Sequence, residues 1–209
     1  MASQALLSRT RLPVRTLAIC AAALLVHFLP GQGPLLIFDR AAIAHGELWR
    51  LLTGNLVHLS DAHLALDLAA FLIAGAIIEQ RGYRHLTMLC VSAAVLIGVA
   101  IYLFEPALQF YGGLSGIVTA AVVYLCLQGM TEQGSWRWLC AAMLAGLTAK
   151  LWVELVSGTS LMLLVVGSGN FVPVPLSHLT GAVVAVILFA LLHLPANFMP
   201  RDAARNGAA

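Results

Sequence analysis

An all-α membrane protein, a bundle of six transmembrane helices, is the fold class that this 209-residue sequence predicts. Three observations predict it. Hydrophobic residues make up 61% of the chain and charged residues 10%, at a mean hydropathy of +0.93, whereas a soluble domain carries roughly a quarter charged residues. Six apolar stretches approach the roughly 20 residues needed to cross a bilayer. Arginines fall on alternate connections between them. The same scarcity of charge excludes disorder. A net charge of +2 without a basic stripe predicts no nucleic-acid partner.

The expected spans are Thr16–Leu29, Ala62–Ile78, His85–Phe104, Leu114–Met130, Trp136–Val156 and Leu176–Leu194. The first is short, and Pro30-Gly31 either kinks or ends it. Arg9, Arg11 and Arg15 precede span one, Arg81 and Arg84 follow span two, Arg137 follows span four, and Arg201 and Arg205 follow span six. Connections Glu105–Gly113 and Ser157–Pro175 contain no Lys or Arg. By the positive-inside rule, both termini are then expected in the cytoplasm. The exception is the first outside loop, with Arg40 and Arg50. The expected organisation is a basic tail over 1–15, a membrane domain over 16–194 and a second tail over 195–209.

No internal repeat supports a transporter of duplicated halves. Cys20, Cys90, Cys126 and Cys140 lie in apolar runs without metal or disulfide spacing and read as small packing residues. Leu17-Ala18-Ile19-Cys20 resembles a lipoprotein box, but Ile19 is bulky where a small residue is needed, so the segment reads as a membrane anchor.

Ionisable side chains inside spans are functional candidates, because the bilayer core penalises them. Ser115 stands in Tyr111-Gly112-Gly113-Leu114-Ser115-Gly116, where glycines free the backbone at a helix start. A small-residue packing motif is the plain alternative. His178 follows Pro175, a residue suited to a first helical turn, and Gly181 invites another helix close. Both lie near the outer ends of their spans, so histidine and serine can meet as base and nucleophile. His58, His63 and Asp67 form a third set at the same depth; Ser60 or Asp61 would cap their helix. His63 and Asp67, four apart, share a helix face. His58 and His63, five apart, would not share one, which disfavours a metal site. Lys150 and Glu154 read as a self-neutralising ion pair or a substrate contact.

Together these residues resemble the rhomboid family of intramembrane serine proteases, over most of the chain from Gly46 onward. Gly46-Glu47-Leu48-Trp49-Arg50-Leu51-Leu52-Thr53 is similar to the family's Trp-Arg segment. His58, His63 and position 67 resemble the head of its second helix. Gly113-Leu114-Ser115-Gly116 is similar to its nucleophile motif, and His178 with Gly181 to its histidine helix. The short six-helix form, His58-Leu59-Ser60 and the Lys150/Glu154 pair resemble the rhombosortase branch most.

The resemblance implies a six-helix rhomboid-like bundle in a bacterial inner membrane, with its active site facing outward. It implies Ser115 as nucleophile and His178 as base, a dyad needing no third carboxylate. The oxyanion would be held by the Ser115 N–H, His63 and the side chain at position 67, with Gly113 shaping the loop. His58, Lys150 and Glu154 would support the site or touch substrate. Expected partners are membrane-anchored proteins, cut near a C-terminal tail of a Gly-Gly motif, a hydrophobic helix and basic residues. No cofactor and no metal are expected.

Three positions depart from the family. Asp67 stands where an asparagine is usual, Thr119 where an aromatic or histidine is usual, and Ala185 where glycine is usual. An ionised Asp67 would repel an oxyanion; either a protonated Asp67 or a His63 cation beside it would relieve the conflict. A polar cavity lined by His58, His63, Asp67, Ser115 and His178 is expected to admit water. Leu161–Val166 with Gly167-Ser168-Gly169-Asn170 reads as a gating loop. Two rivals remain: a non-catalytic rhomboid-like protein that binds membrane clients, and a small transporter or metal-binding protein using His58, His63 and Asp67.

Overall fold

The computed structural model describes residues 12–158 and 174–193. Its long helices are α1 (Val14–Phe28), α5 (Asp61–Gln80), α6 (Leu86–Phe104), α7 (Ser115–Met130), α8 (Ser135–Ser157) and α9 (Pro175–His193). Short helical turns α2 (Gln32–Leu36), α3 (Arg40–Ala44) and α4 (Arg50–Thr53) fold the first loop. The described ends fall within two residues of the spans expected from hydropathy. Four of these helices (α5, α6, α8 and α9) are long and apolar enough to cross a membrane; α1 and α7 are shorter apolar helices. This is a helical bundle of a multi-pass membrane protein.

Helix α7 is the hub, packing against α5, α6, α8 and α9. Ten of its sixteen residues are buried. At 1.5 Å per residue it spans about 24 Å, less than a bilayer core of about 30 Å, so one end must sit below the surface. Its closest partner is α9. A Cβ on Gly116 would stand 2.9 Å from the Ser177 carbonyl oxygen, and one on Gly181 would collide with the Gly116 carbonyl. Two backbones in contact are what glycine permits between membrane helices.

The other joints are polar and sit at the ends. Glu79, near the end of α5, accepts from the Thr16 N–H at 2.8 Å, the Thr16 hydroxyl at 2.7 Å and the Arg15 N–H at 3.3 Å. An acid thereby satisfies the free amides that open α1. At the same end, Arg81 pairs with Glu132 at 2.6 Å and lies over the Trp136 ring at 3.8 Å. Hydrogen bonding from the Tyr83 hydroxyl, then Arg81, holds the Glu132 carboxyl below its ordinary range.

At the opposite end the first loop is stitched to the bundle. Strand β1 (Phe38–Asp39) pairs antiparallel with β2 (Phe110–Tyr111), Phe38 opposite Tyr111. The Arg40 guanidinium donates to the carbonyls of Ile101, Tyr102, Glu105 and Leu108 at 2.8–2.9 Å, closing the end of α6. Buried Arg50 donates to Glu47 at 2.6 Å and to the carbonyls of Pro34 and Ile37. Of the two arginines that broke the alternation of charge, Arg50 is thus bound to the loop's own backbone and Arg40 to the end of α6 and the segment after it. Pro30-Gly31 ends α1 rather than kinking it: Leu29 is extended, and Gly31 has φ +77°.

Gly181→Ala is expected to lower stability by about 1–3 kcal/mol through overpacking. Gly146→Ala on α8, where a Cβ meets nothing within 4 Å, should be neutral or slightly stabilising. Thermal unfolding of the two variants in the same detergent checks the difference.

Candidate active site

Four elements deliver the candidate residues to one end of the bundle: the starts of α5, α7 and α9 and the last turns of α8. Gly112 and Gly113 lead from β2 into α7. Gly113 has φ +138°, and a Cβ there would stand 2.7 Å from the His63 ring, so the loop closes against His63 only with glycine. The buried Tyr111 hydroxyl donates to the Gly113 carbonyl at 3.3 Å. Ser115 follows as the first residue of α7. Pro175 opens α9, as its sequence position predicts, and Gly181 one turn after His178 brings α9 onto α7. Ser115 Oγ then lies 3.0 Å from His178 Nε2. These two residues are together, 63 positions apart in sequence.

His178 has a second partner. Its Nδ1 lies 2.9 Å from Glu154 Oε2, while Glu154 Oε1 lies 2.9 Å from Lys150 Nζ. Glu154 is fully buried, whereas the Lys150 side chain keeps 32% of its exposure. The expected Lys150–Glu154 pair forms. Of the two readings held for Glu154, support of the site is the one its burial and its two engaged oxygens favour. The resemblance required no carboxylate behind the imidazole, and here one stands there. With Nδ1 facing a carboxylate, its proton sits on Nδ1 and leaves Nε2 free to accept from the serine hydroxyl.

His58, His63 and Asp67 converge, all buried. Asp67 Oδ2 lies 3.1 Å from His58 Nε2 and 3.2 Å from His63 Nε2. Ser60, not Asp61, caps α5 by accepting from the His63 N–H at 3.3 Å; Asp61 pairs with His27 at 2.8 Å. His58 Nδ1 faces the Leu56 carbonyl at 3.2 Å and must donate to it, while its Nε2 receives the Leu114 N–H at 3.3 Å. The same Nε2 also faces Asp67 Oδ2, and because its lone pair is engaged by the Leu114 N–H, a hydrogen bond along that contact would come from a proton on Asp67. Two imidazoles thus flank the Asp67 carboxyl.

The three donor atoms lie within 4.8 Å of one another, close enough to hold a divalent metal ion. The helical-face argument against a metal set does not hold, because His58 precedes α5 in an irregular segment and is not bound by helical spacing. His58, His63, Asp67 and His178 are buried, and Ser115 is half-exposed. Thr119 turns its hydroxyl to the Ser115 carbonyl at 3.0 Å, an intrahelical bond; Ala185 is buried in the core. The expected gating loop over 161–170 lies outside the described residues.

Comparison with known proteins fits this geometry. The Rhomboid domain matches residues 45–195. The chain is 39% identical over 84 residues to the rhomboid protease GlpG of Haemophilus influenzae, covering 39% of this chain and 42% of that protein. It is 30% identical over 125 residues to the rhomboid protease GlpG of Klebsiella pneumoniae subsp. pneumoniae, covering 57% and 44%. The chain thus spans less than half the length of these curated relatives. With the domain match covering well over half of its residues and both glycine-framed helices inside it, the chain belongs to the rhomboid family.

Proposed function

We propose that this protein is an intramembrane serine endopeptidase in which Ser115 attacks and His178 is the general base. The observation that carries the reading is the 3.0 Å approach of Ser115 Oγ to His178 Nε2 at a glycine-rich helix start. His178 Nε2 takes the hydroxyl proton as the Oγ–carbon bond forms. The tetrahedral oxyanion faces the Ser115 N–H and the His63/Asp67 side. His178 then protonates the leaving amine as the carbon–nitrogen bond breaks, and water releases the acyl group by the same steps in reverse. With a proton on Asp67, the His58/His63/Asp67 cluster carries no net charge, and this face donates hydrogen bonds without repelling the oxyanion.

Substrates are membrane-anchored proteins. The finer reading is rhombosortase-type cleavage near a C-terminal Gly-Gly, hydrophobic and basic tail, supported by the His58-Leu59-Ser60 run and the Lys150/Glu154 pair. The alternating arginines support a bacterial inner-membrane orientation, with residues 1–15 and 195–209 in the cytoplasm, the membrane domain over 16–194 and Ser115 toward the outer face. One observation favours a second reading, a rhomboid-like protein that binds clients without cutting them: Asp67 in the asparagine position.

A fluorophosphonate probe is expected to label the detergent-solubilised protein. Ser115→Ala removes the labelled atom, and His178→Ala slows labelling by at least about 10³-fold. Folded wild-type protein that takes no label overturns the protease reading and moves client binding to first place. Asp67→Asn, which keeps the shape and supplies an N–H without a shared proton, is expected to label within about tenfold of wild type or faster, whereas Asp67→Ala slows it by about 10²-fold.

A further inference from the structure

Helix α8 is the bundle's outlying wall. Of its twenty-three residues only Cys140 and Glu154 are buried, so most of its surface faces lipid. Yet it sends one fully buried carboxylate inward, and that carboxylate ends on His178. An acid in this place is costly unless both of its oxygens are engaged, and they are, one by His178 Nδ1 and one by Lys150 Nζ. The other helices packed against α9, namely α6 and α7, carry no charged side chain. Glu154 with Lys150 behind it is therefore the ionic partner that the imidazole meets on these faces.

We propose that Glu154 is a positioning residue for the serine chemistry, making Ser115–His178–Glu154 a three-member array, with Lys150 holding the carboxylate in its ionised form. The inference rests on the protease reading above. Glu154 Oε2 keeps the imidazole proton on Nδ1 and so presents the lone pair of Nε2 to Ser115. When Nε2 takes the serine proton, the imidazolium has a carboxylate at 2.9 Å. Glu154 stays ionised throughout and gives up no proton to the reaction. Lys150, part-exposed at the outer half of α8, balances the acid while His178 is neutral.

The test compares Glu154→Gln, Glu154→Asp and the double variant Lys150→Met/Glu154→Gln with wild type, all as the full chain in the same detergent. The readouts are thermal stability, fluorophosphonate labelling, and kcat and KM on a membrane-spanning peptide. In Glu154→Gln, kcat is expected to fall about 10²–10⁴-fold with KM nearly unchanged, as when the acid behind a catalytic histidine becomes an amide. Glu154→Asp recovers part of the loss. The double variant has no stranded lysine and regains stability, yet stays as slow as Glu154→Gln. If the double variant instead works at the wild-type rate, the pair is only a structural bridge and the proposal is overturned. A Glu154→Gln protein with undiminished kcat overturns it equally, while labelling that still depends on Ser115 and His178 leaves the protease reading standing. If neither single Glu154 variant folds, labelling of the folded double variant decides alone.

Discussion

Lipid tails are as apolar as the helices they surround, so nothing in the bilayer core presses α7 and α9 together except the quality of their contact. That contact is made by backbone at Gly116 and Gly181, where a methyl group on either helix would meet a carbonyl of the other. Ser115 precedes one of these glycines, and His178 lies one turn before the other. The serine and the histidine consequently inherit their separation from the backbone-to-backbone joint of α7 and α9. Side-chain packing alone would allow rocking between the two helices. Main chain against main chain does not.

Around this joint the protein arranges polar groups so that each excess charge has a partner. On one side of Ser115 lies the His58/His63/Asp67 cluster, on the other the His178/Glu154/Lys150 chain. Each combines an acid with nitrogen bases, and each is buried except at Lys150. The loop that carries Gly113 is clamped between them by backbone bonds: Tyr111 to Phe38 across the two-residue sheet, Leu114 to His58 through its N–H. The order of the site therefore comes from outside α7 as much as from α7 itself.

Much of this was legible in the sequence. Hydropathy marked every long helix to within two residues, because a bilayer imposes one length and one composition on every span. Ser115 and His178 stood out since polar residues at matching depths have few other reasons to be there. What stayed hidden was pairing across connections. Glu154 reads as the lysine's partner because helical periodicity reports contacts four residues apart, not the 24 residues that separate it from His178. His58 is misjudged by the same rule, being outside the helix whose spacing was applied to it. Two-residue strands and arginines that bind carbonyls leave no period at all. The surplus acid one turn from the lysine, at the depth of the histidine, was the signal available for Glu154.

The charge pair on α8 also bears on the order in which the chain is made. Synthesis runs from the N-terminus, so α8 reaches the membrane before α9 does. During that interval Glu154 has no imidazole to meet, and a bare carboxylate within a span opposes insertion by a few kcal/mol. Lys150, one turn earlier on the same helix, has already emerged and lies within reach of it. The helix can therefore enter the bilayer self-neutralised, and hand one carboxylate oxygen to His178 only when the last span arrives.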